Sequence, residues 1–380
     1  MRAIDPTTIR ILMGANLALF VLGSTLNAQL PPVKPGPTPT EANFFIATPP
    51  GWVQPKTPWG DPDLQGIWPI SYVGTVMLQR CAGGFGPRPA NAPPCDPHKA
   101  FLTATEFDAL QERAAKQPDR VKEDLKNGEA ARIFRDGVMD NFTPQRQTSL
   151  IMDPPDGKLP EMTPEGKRLS ALMKSSWPLP GEKLAFDSYT DFDSWDRCIT
   201  RGLPASMFPF RYNNGLQIVQ APGYVALRME MIHESRIIPI NAPPVSPAIK
   251  EWLGVSRGHW EGNTLVVETT NFKPGASATN TGVMGSPAGN RFPISEQMKM
   301  TERFTRLNND FLIYSITVDD PVVLTHSWTA RFPLKLDNSF QILEYACTED
   351  NTMIPHWIST SRAERAQDAA KAAGTQKDQH

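Results

Sequence analysis

The residues with the clearest chemical potential lie in the segment Met298-Lys299-Met300-Thr301-Glu302-Arg303-Phe304. Side chains alternate across a strand, so Met298, Met300, Glu302 and Phe304 share one face. A carboxylate among apolar neighbours is either held by a cation or raised in pKa, and a raised carboxyl is how a general acid is made. His326 stands in the same relation to Leu324 and Trp328. Glu302 and His326, aimed inward from separate strands, would form a proton-transfer pair lining a pocket. Arg228 and Glu230 alternate in phase with Tyr224 and Ala226. With Met298, Met300, Phe304 and Trp328 they complete the expected ligand-contacting set. The competing reading is structural: a buried Arg–Glu pair, with His326 a histidine of the core or its rim.

Other patterns point away from specific chemistries. Gly254-Val255-Ser256-Arg257-Gly258 matches G-x-S-x-G, but a nucleophile elbow needs a strand before it and a helix after it. Here Pro247–Leu253 reads as helical and a hairpin strand follows, so the order is reversed. His98, His233, His259, His326 and His356 show no H-x-H or H-E-x-x-H spacing, and no metal is expected. No glycine-rich loop precedes a helix, so no nucleotide or other cofactor is expected either. A formal net charge of −2 without a basic run argues against a nucleic-acid partner.

Residues must be positioned by elements, and proline, 38 of 380 residues, disfavours long helices. Arg2 and Arg10, the apolar run 11–23 and the small-residue stretch ending at Ala28 read as a signal peptide, residues 1–28. The expected localisation is therefore the periplasm or the extracellular medium, without stable membrane insertion. A proline-rich lead over 29–62 follows, then a mixed helical and extended region over 63–195. Within that region Thr103-x-x-Glu106 is a capping box, and Thr163-Pro164-Glu165 is a second helix start. Residues 149–157 read as a buried strand ending in a proline turn.

From about 213 short strands recur: 216–220, 224–231, 236–240, 264–271, 296–307, 310–319, 324–332 and 340–347. This predicts a mainly β fold, an antiparallel β-barrel of lipocalin-like type or a sandwich, over 196–360. Gly66-Ile67-Trp68 matches the G-x-W that opens lipocalin-type barrels. The stretch 275–290 is a candidate lid, and 361–380 is a polar tail. Four cysteines permit three pairings. Local closure makes Cys81–Cys95 the simplest, leaving Cys198–Cys347, both structural.

Six segments together resemble a family of exported, mostly uncharacterised bacterial proteins. They are Ser149-Leu150-Ile151-Met152-Asp153-Pro154-Pro155-Asp156-Gly157, Arg197-Cys198-x-x-Arg201-Gly202-x-Pro204, Gly258-His259-Trp260-Glu261-Gly262-Asn263-Thr264-Leu265-Val266-Val267-Glu268, Thr301-Glu302-Arg303-Phe304, Val318-Asp319-Asp320-Pro321 and Glu344-Tyr345-Ala346-Cys347-x-Glu349-x-Asn351. The likeness runs from about 144 to 355 and carries no activity with it. Thr348 and His326-Ser327 depart from the pattern, where the family usually shows His and a basic residue with Pro. The expected function is binding of a small, largely apolar or aromatic organic molecule inside the barrel. The alternatives are a cofactor-free lyase, isomerase or hydrolase using Glu302 and His326, and a structural envelope protein whose barrel is filled by its own side chains.

Overall fold

The computed structural model describes residues 41–83, 94–116, 123, 126–127, 143–179, 181–274 and 291–377. The expected signal peptide, residues 29–40 of the proline-rich lead and the candidate lid 275–290 lie outside them.

Apolar alternation becomes strand wherever one face can be buried. In β3 (Leu216–Ala221) Leu216 and Ile218 point inward; in β4 (Tyr224–Met229) Val225, Leu227 and Met229 do so. Gly223, at φ +78°, supplies the left-handed corner between them. β5 (Ser235–Pro239) completes this sheet on one side and the short β1 (Gly66–Ile67) on the other, in the order β1-β3-β4-β5. A second antiparallel sheet has the order β2-β10-β9-β8-β7-β6. Its strands are β2 (Ile151–Asp153), β6 (Val255–Glu261), β7 (Thr264–Thr270), β8 (Lys299–Arg306), β9 (Phe311–Asp319) and β10 (Trp328–Lys335). Gly262 turns the β6–β7 corner, and the Asn308 carboxamide accepts from Asp310 and Phe311 N–H to turn β8 into β9.

The inner faces of both sheets feed one apolar core. Leu227 and Ile238 of the first meet a cluster that includes Val267, Met300, Phe304, Tyr314, Trp328 and Phe332 of the second. Backbone bridges tie the sheets at two corners, Asn241 N–H to Gly258 O at 2.7 Å and Asp337 N–H to Ile67 O at 2.9 Å. The fold is therefore mainly β, but the strands form two sheets and are not closed into a barrel.

Several expected boundaries move for identifiable reasons. Residues 340–347 form no strand and run as irregular chain. The last strand begins at Trp328 rather than at 324, because the Asp320 carboxylate accepts from Ser295 and Val323 and holds the preceding residues in a turn. Residues 247–253 form turns instead of a helix; Glu251 N–H donates to Asn271 O, which draws this stretch alongside the end of β7.

Three α-helices are described. α1 (Ala104–Ala115) starts at the Thr103–Glu106 capping box, and α2 (Pro164–Leu172) at Thr163 with proline in its first turn. α3 (Met353–Lys377) docks Trp357 against Phe186 and Phe192 and is held by Lys183–Asp368 and by Arg362 and Arg365 on Asp187. Among the described residues no helix is long and apolar enough to cross a membrane. The chain from 41 to 63 lies along the second sheet as a strap, with Ala42 O on Arg331, Ala47 O on Asn308 and Trp52 on Asn309. Both disulfides form, Cys81–Cys95 and Cys198–Cys347.

α2 approaches the chain before β10 so closely that a Cβ on Gly166 would lie 2.3 Å from Val323 O. Gly166→Ala forces that backbone apart, and it is expected to cost on the order of 1–3 kcal/mol in urea unfolding. An unchanged midpoint would show that α2 shifts freely.

Candidate functional site

Glu302 is fully buried on β8, on one face with Met300 and Phe304, as the alternation predicts. Its partner is Arg236 of β5, so the contact spans the two sheets. Arg236 Nη2 and Nη1 donate to the two carboxylate oxygens at 2.5 and 3.0 Å, and the Tyr314 hydroxyl donates to Oε1 at 2.9 Å. Arg236 Nη2 also reaches Ser256 Oγ at 3.0 Å and Thr269 Oγ1 at 3.2 Å. Burial pulls the Arg236 pKa down, but the Glu302 charge beside it prevails and holds it above its ordinary value. Burial, reinforced by the same charge, pushes the Tyr314 phenol well up, so it remains a donor.

The G-x-S-x-G serine is thus a strand residue serving this pair. No turn between a strand and a helix surrounds it.

His326 is not brought to Glu302. It sits exposed in the bend before β10, its ring nitrogen 2.9 Å from Ser327 O. Glu302 lies level with Ile316 of β9 and Ala330 of β10, so His326 is two strands over and four residues farther along. The expected inward convergence of Arg228 and Glu230 also fails. Arg228 is exposed on the outer face of its sheet. Glu230 lies beyond the end of β4, where the chain turns through Ile232 and His233 at φ 57° and 40°. There it accepts from Gly215 N–H at 2.8 Å, Leu343 N–H at 3.0 Å and Asn213 Nδ2 at 3.2 Å. Met298, Met300, Phe304 and Trp328 are all buried in the packed core, Trp328 against Phe208.

An open, site-like surface occurs elsewhere. A groove of about 490 Å³ is lined by Trp177, Trp195, Phe210, Tyr212 and Tyr345, with Asp196, Arg211, Asn351 and Cys347 among its remaining walls. Trp177 stacks parallel to Trp195 at 6.3 Å between ring centroids. Trp195 meets Phe210 edge-on at 4.6 Å, and Phe210 meets Tyr212 at 5.1 Å. Met231 and Ile232 back the rings from below, carried there by the left-handed turn after β4. Beside this floor lies the buried Arg201 guanidinium, 5.2 Å from the Trp195 centroid and 5.3 Å from that of Phe210. Burial lowers its pKa to about 10, against the opposing charge of Glu234, so it remains a cation at neutral pH. Glu234 is itself held by the Thr200 hydroxyl. Burial and the neighbouring Tyr345 push Tyr212 up to about 12, which keeps it a hydrogen-bond donor.

The groove is assembled by four segments, one of which, 210–212, supplies Phe210, Arg211 and Tyr212. The turn 193–198 presents Trp195 and Asp196 and is capped by the Asp193 carboxylate, which accepts from Trp195 and Asp196 N–H, each at 2.9 Å. Asp196 accepts from Ser176 N–H and Oγ, which fixes Trp177 alongside. The Cys198–Cys347 disulfide then brings Tyr345 and Asn351 across. These rings went unassigned in the sequence, although Trp195 and Arg201 flank Cys198, and Tyr345 and Asn351 flank Cys347. Their proximity to a bonded cysteine pair was the available signal.

Two other grooves offer less. One, of about 460 Å³ between α2 and residues 293–297, is chiefly aliphatic, and its Glu165 is engaged by Arg168. The other, of about 490 Å³ beside β6, contains the Lys250–Glu296 ion pair and no aromatic ring. Among the described residues no group of three or more His, Cys, Asp or Glu side chains could hold a metal ion.

Two outcomes follow from these charges. Arg236→Met leaves Glu302 buried without its cation and is expected to cost about 3–5 kcal/mol in denaturant unfolding. Arg236→Met with Glu302→Leu should recover most of that loss, and an undiminished loss in the double variant would contradict this account. The second concerns Asp193, which burial, with the Asp196 charge adding, pushes up from 3.8 to about 6. A carboxyl raised on folding binds its proton more tightly in the native state, so ionising it costs stability. That cost is absent below about pH 4 and complete above about pH 6. Relative to Asp193→Asn, the native chain should lose on the order of 2–3 kcal/mol across this window, read from unfolding midpoints against pH. Parallel curves would contradict it.

No family model, curated protein or solved structure matches this chain, so the functional reading rests on the chemistry of the groove itself.

Proposed function

We propose that this chain binds a small, planar, largely apolar or aromatic molecule in the surface groove between Trp177, Tyr212 and Tyr345, outside the sheets. The observation that carries this is the convergence of five aromatic side chains on one opening of about 490 Å³. That size suits a small organic ligand, and such pockets are mainly apolar with a few placed polar groups. Aromatic rings gain from offset or edge-on contact with another ring beyond the area they bury. Tyr212, Asn351, Arg211 and Asp196 supply the polar contacts that orient a ligand.

The chain is read as an exported protein and its two sheets as a sandwich. Two disulfides support the first, because such bonds persist in oxidising compartments. The shared core between the sheets supports the second. The resemblance to exported bacterial proteins agrees with the first, and two of its six segments, around Cys198 and Cys347, meet at the groove. Acid–base catalysis by Glu302 and His326 draws no support from their separation. A structural role at the envelope is the second reading, favoured by the packed interior and the Arg236–Glu302 pair.

Native mass spectrometry of the purified chain separates the two readings. A small-molecule adduct on the native protein, retained in the exposed-site variant His326→Ala and reduced tenfold or more in Trp177→Ala, is the expected outcome. An adduct unaffected by Trp177→Ala would place binding elsewhere, and none on any form would favour the structural role.

A further inference from the structure

We propose that the Cys198–Cys347 disulfide is a redox latch on the aromatic groove: closed, it holds the Tyr345 wall against the other rings, and reduced, it releases that wall and weakens binding. The inference rests on the groove being the binding site proposed above.

The wall belongs to a strap. Between Lys335 and Met353 the chain has neither helix nor strand. Both its ends are anchored, at β10 through Leu336 and Asp337 N–H, and at α3 through Trp357 and the ion pairs with Asp187. Its middle is held by a short set of noncovalent contacts. Leu343 N–H reaches Glu230 at 3.0 Å, the His233 ring lies 3.2 Å from Tyr345 O, and Asn351 Nδ2 donates to Cys198 Sγ at 3.2 Å. The Tyr212 and Tyr345 side chains are hydrogen-bonded, and Phe340 and Ile342 lie against Gly215. The disulfide is the one covalent tie there. None of residues 338–352 is a buried member of either apolar cluster, and Tyr345 packs only at the edge of the smaller one. Leu343, in the same stretch, is 60% exposed. Releasing the strap therefore uncovers the groove without opening the main core. Segments with few buried apolar contacts are the ones that open locally while the rest of a fold persists.

Both cysteines are partly exposed, so a small thiol can reach them. A dithiol reductant attacks one sulfur as thiolate and then closes to its own disulfide. It delivers two electrons and two protons, and Cys198 and Cys347 become thiols. A small disulfide reverses the exchange. The second bond, Cys81–Cys95, does not line the groove and serves as the internal control.

The test is isothermal titration with 2-naphthol as a planar aromatic probe. It is applied to the full chain, to Cys198→Ser/Cys347→Ser, to Cys81→Ser/Cys95→Ser and to Trp177→Ala. The proposal expects Kd to weaken tenfold or more in Cys198→Ser/Cys347→Ser and to stay native in Cys81→Ser/Cys95→Ser. Should the first variant fail to fold, Cys81→Ser/Cys95→Ser treated with dithiothreitol and then reoxidised reports the same latch, with circular dichroism followed throughout. Affinity lost on reduction and regained on oxidation at constant circular dichroism supports it. Loss of the folded signal along with affinity overturns it, since the bond would then hold the fold. Native affinity without the bond, with binding still abolished by Trp177→Ala, overturns the latch alone. No binding to the native chain, or binding indifferent to Trp177→Ala, overturns the groove reading beneath it.

Discussion

A guanidinium from one sheet and a carboxylate from the other face each other where neither reaches water, and the register of the whole interior is set around them. Ions of this kind lose several kcal/mol of hydration each when buried, so the contact is tolerable only if nearly every donor and acceptor is matched. Arg236 and Glu302 approach that condition with Tyr314, Ser256 and Thr269, side chains from three further strands. Shifting any of these strands by one residue would turn its contribution to the wrong face. The pair therefore acts as a register pin, while the surrounding Met, Phe and Trp side chains supply the hydrophobic stabilisation.

This explains why the sequence revealed some features and concealed others. The alternation around Glu302 exposed its face, since period-two patterning is local. Its partner was not legible, because Arg236 sits in His233-Glu234-Ser235-Arg236, a stretch that reads as a polar loop end, and nothing local says which distant cation a carboxylate meets. The helix starts at Thr103 and Thr163 were legible because capping is settled within four residues. Residues 247–253 and 340–347 were misread because tertiary bonds to Asn271 and Glu230 decide their paths. Two corner bridges between separate sheets likewise cannot be told from barrel closure by strand spacing alone.

The groove is the opposite case. Each of its rings comes from irregular chain, where neither helical nor strand periodicity applies. Trp177, Trp195, Phe210 and Tyr345 become neighbours only through caps, a left-handed turn and a disulfide. Loops positioned by a rigid scaffold commonly carry function for this reason.

The buried pair and the groove also differ in how they can change over generations. Arg236 and Glu302 are locked to one another, because losing either strands a charge in the interior, so substitution there must arrive as a double change or pass through a poorly folded intermediate. The outer rings of the groove, Trp177, Tyr212 and Tyr345, ask only for flat apolar surface at a solvent-facing rim and can be exchanged singly, while Trp195 and Phe210 are buried against Met231 and Ile232 beneath them. The same fold can thus keep its interior fixed while its mouth drifts from one ligand to another, which is the partition a lineage needs to diversify without refolding.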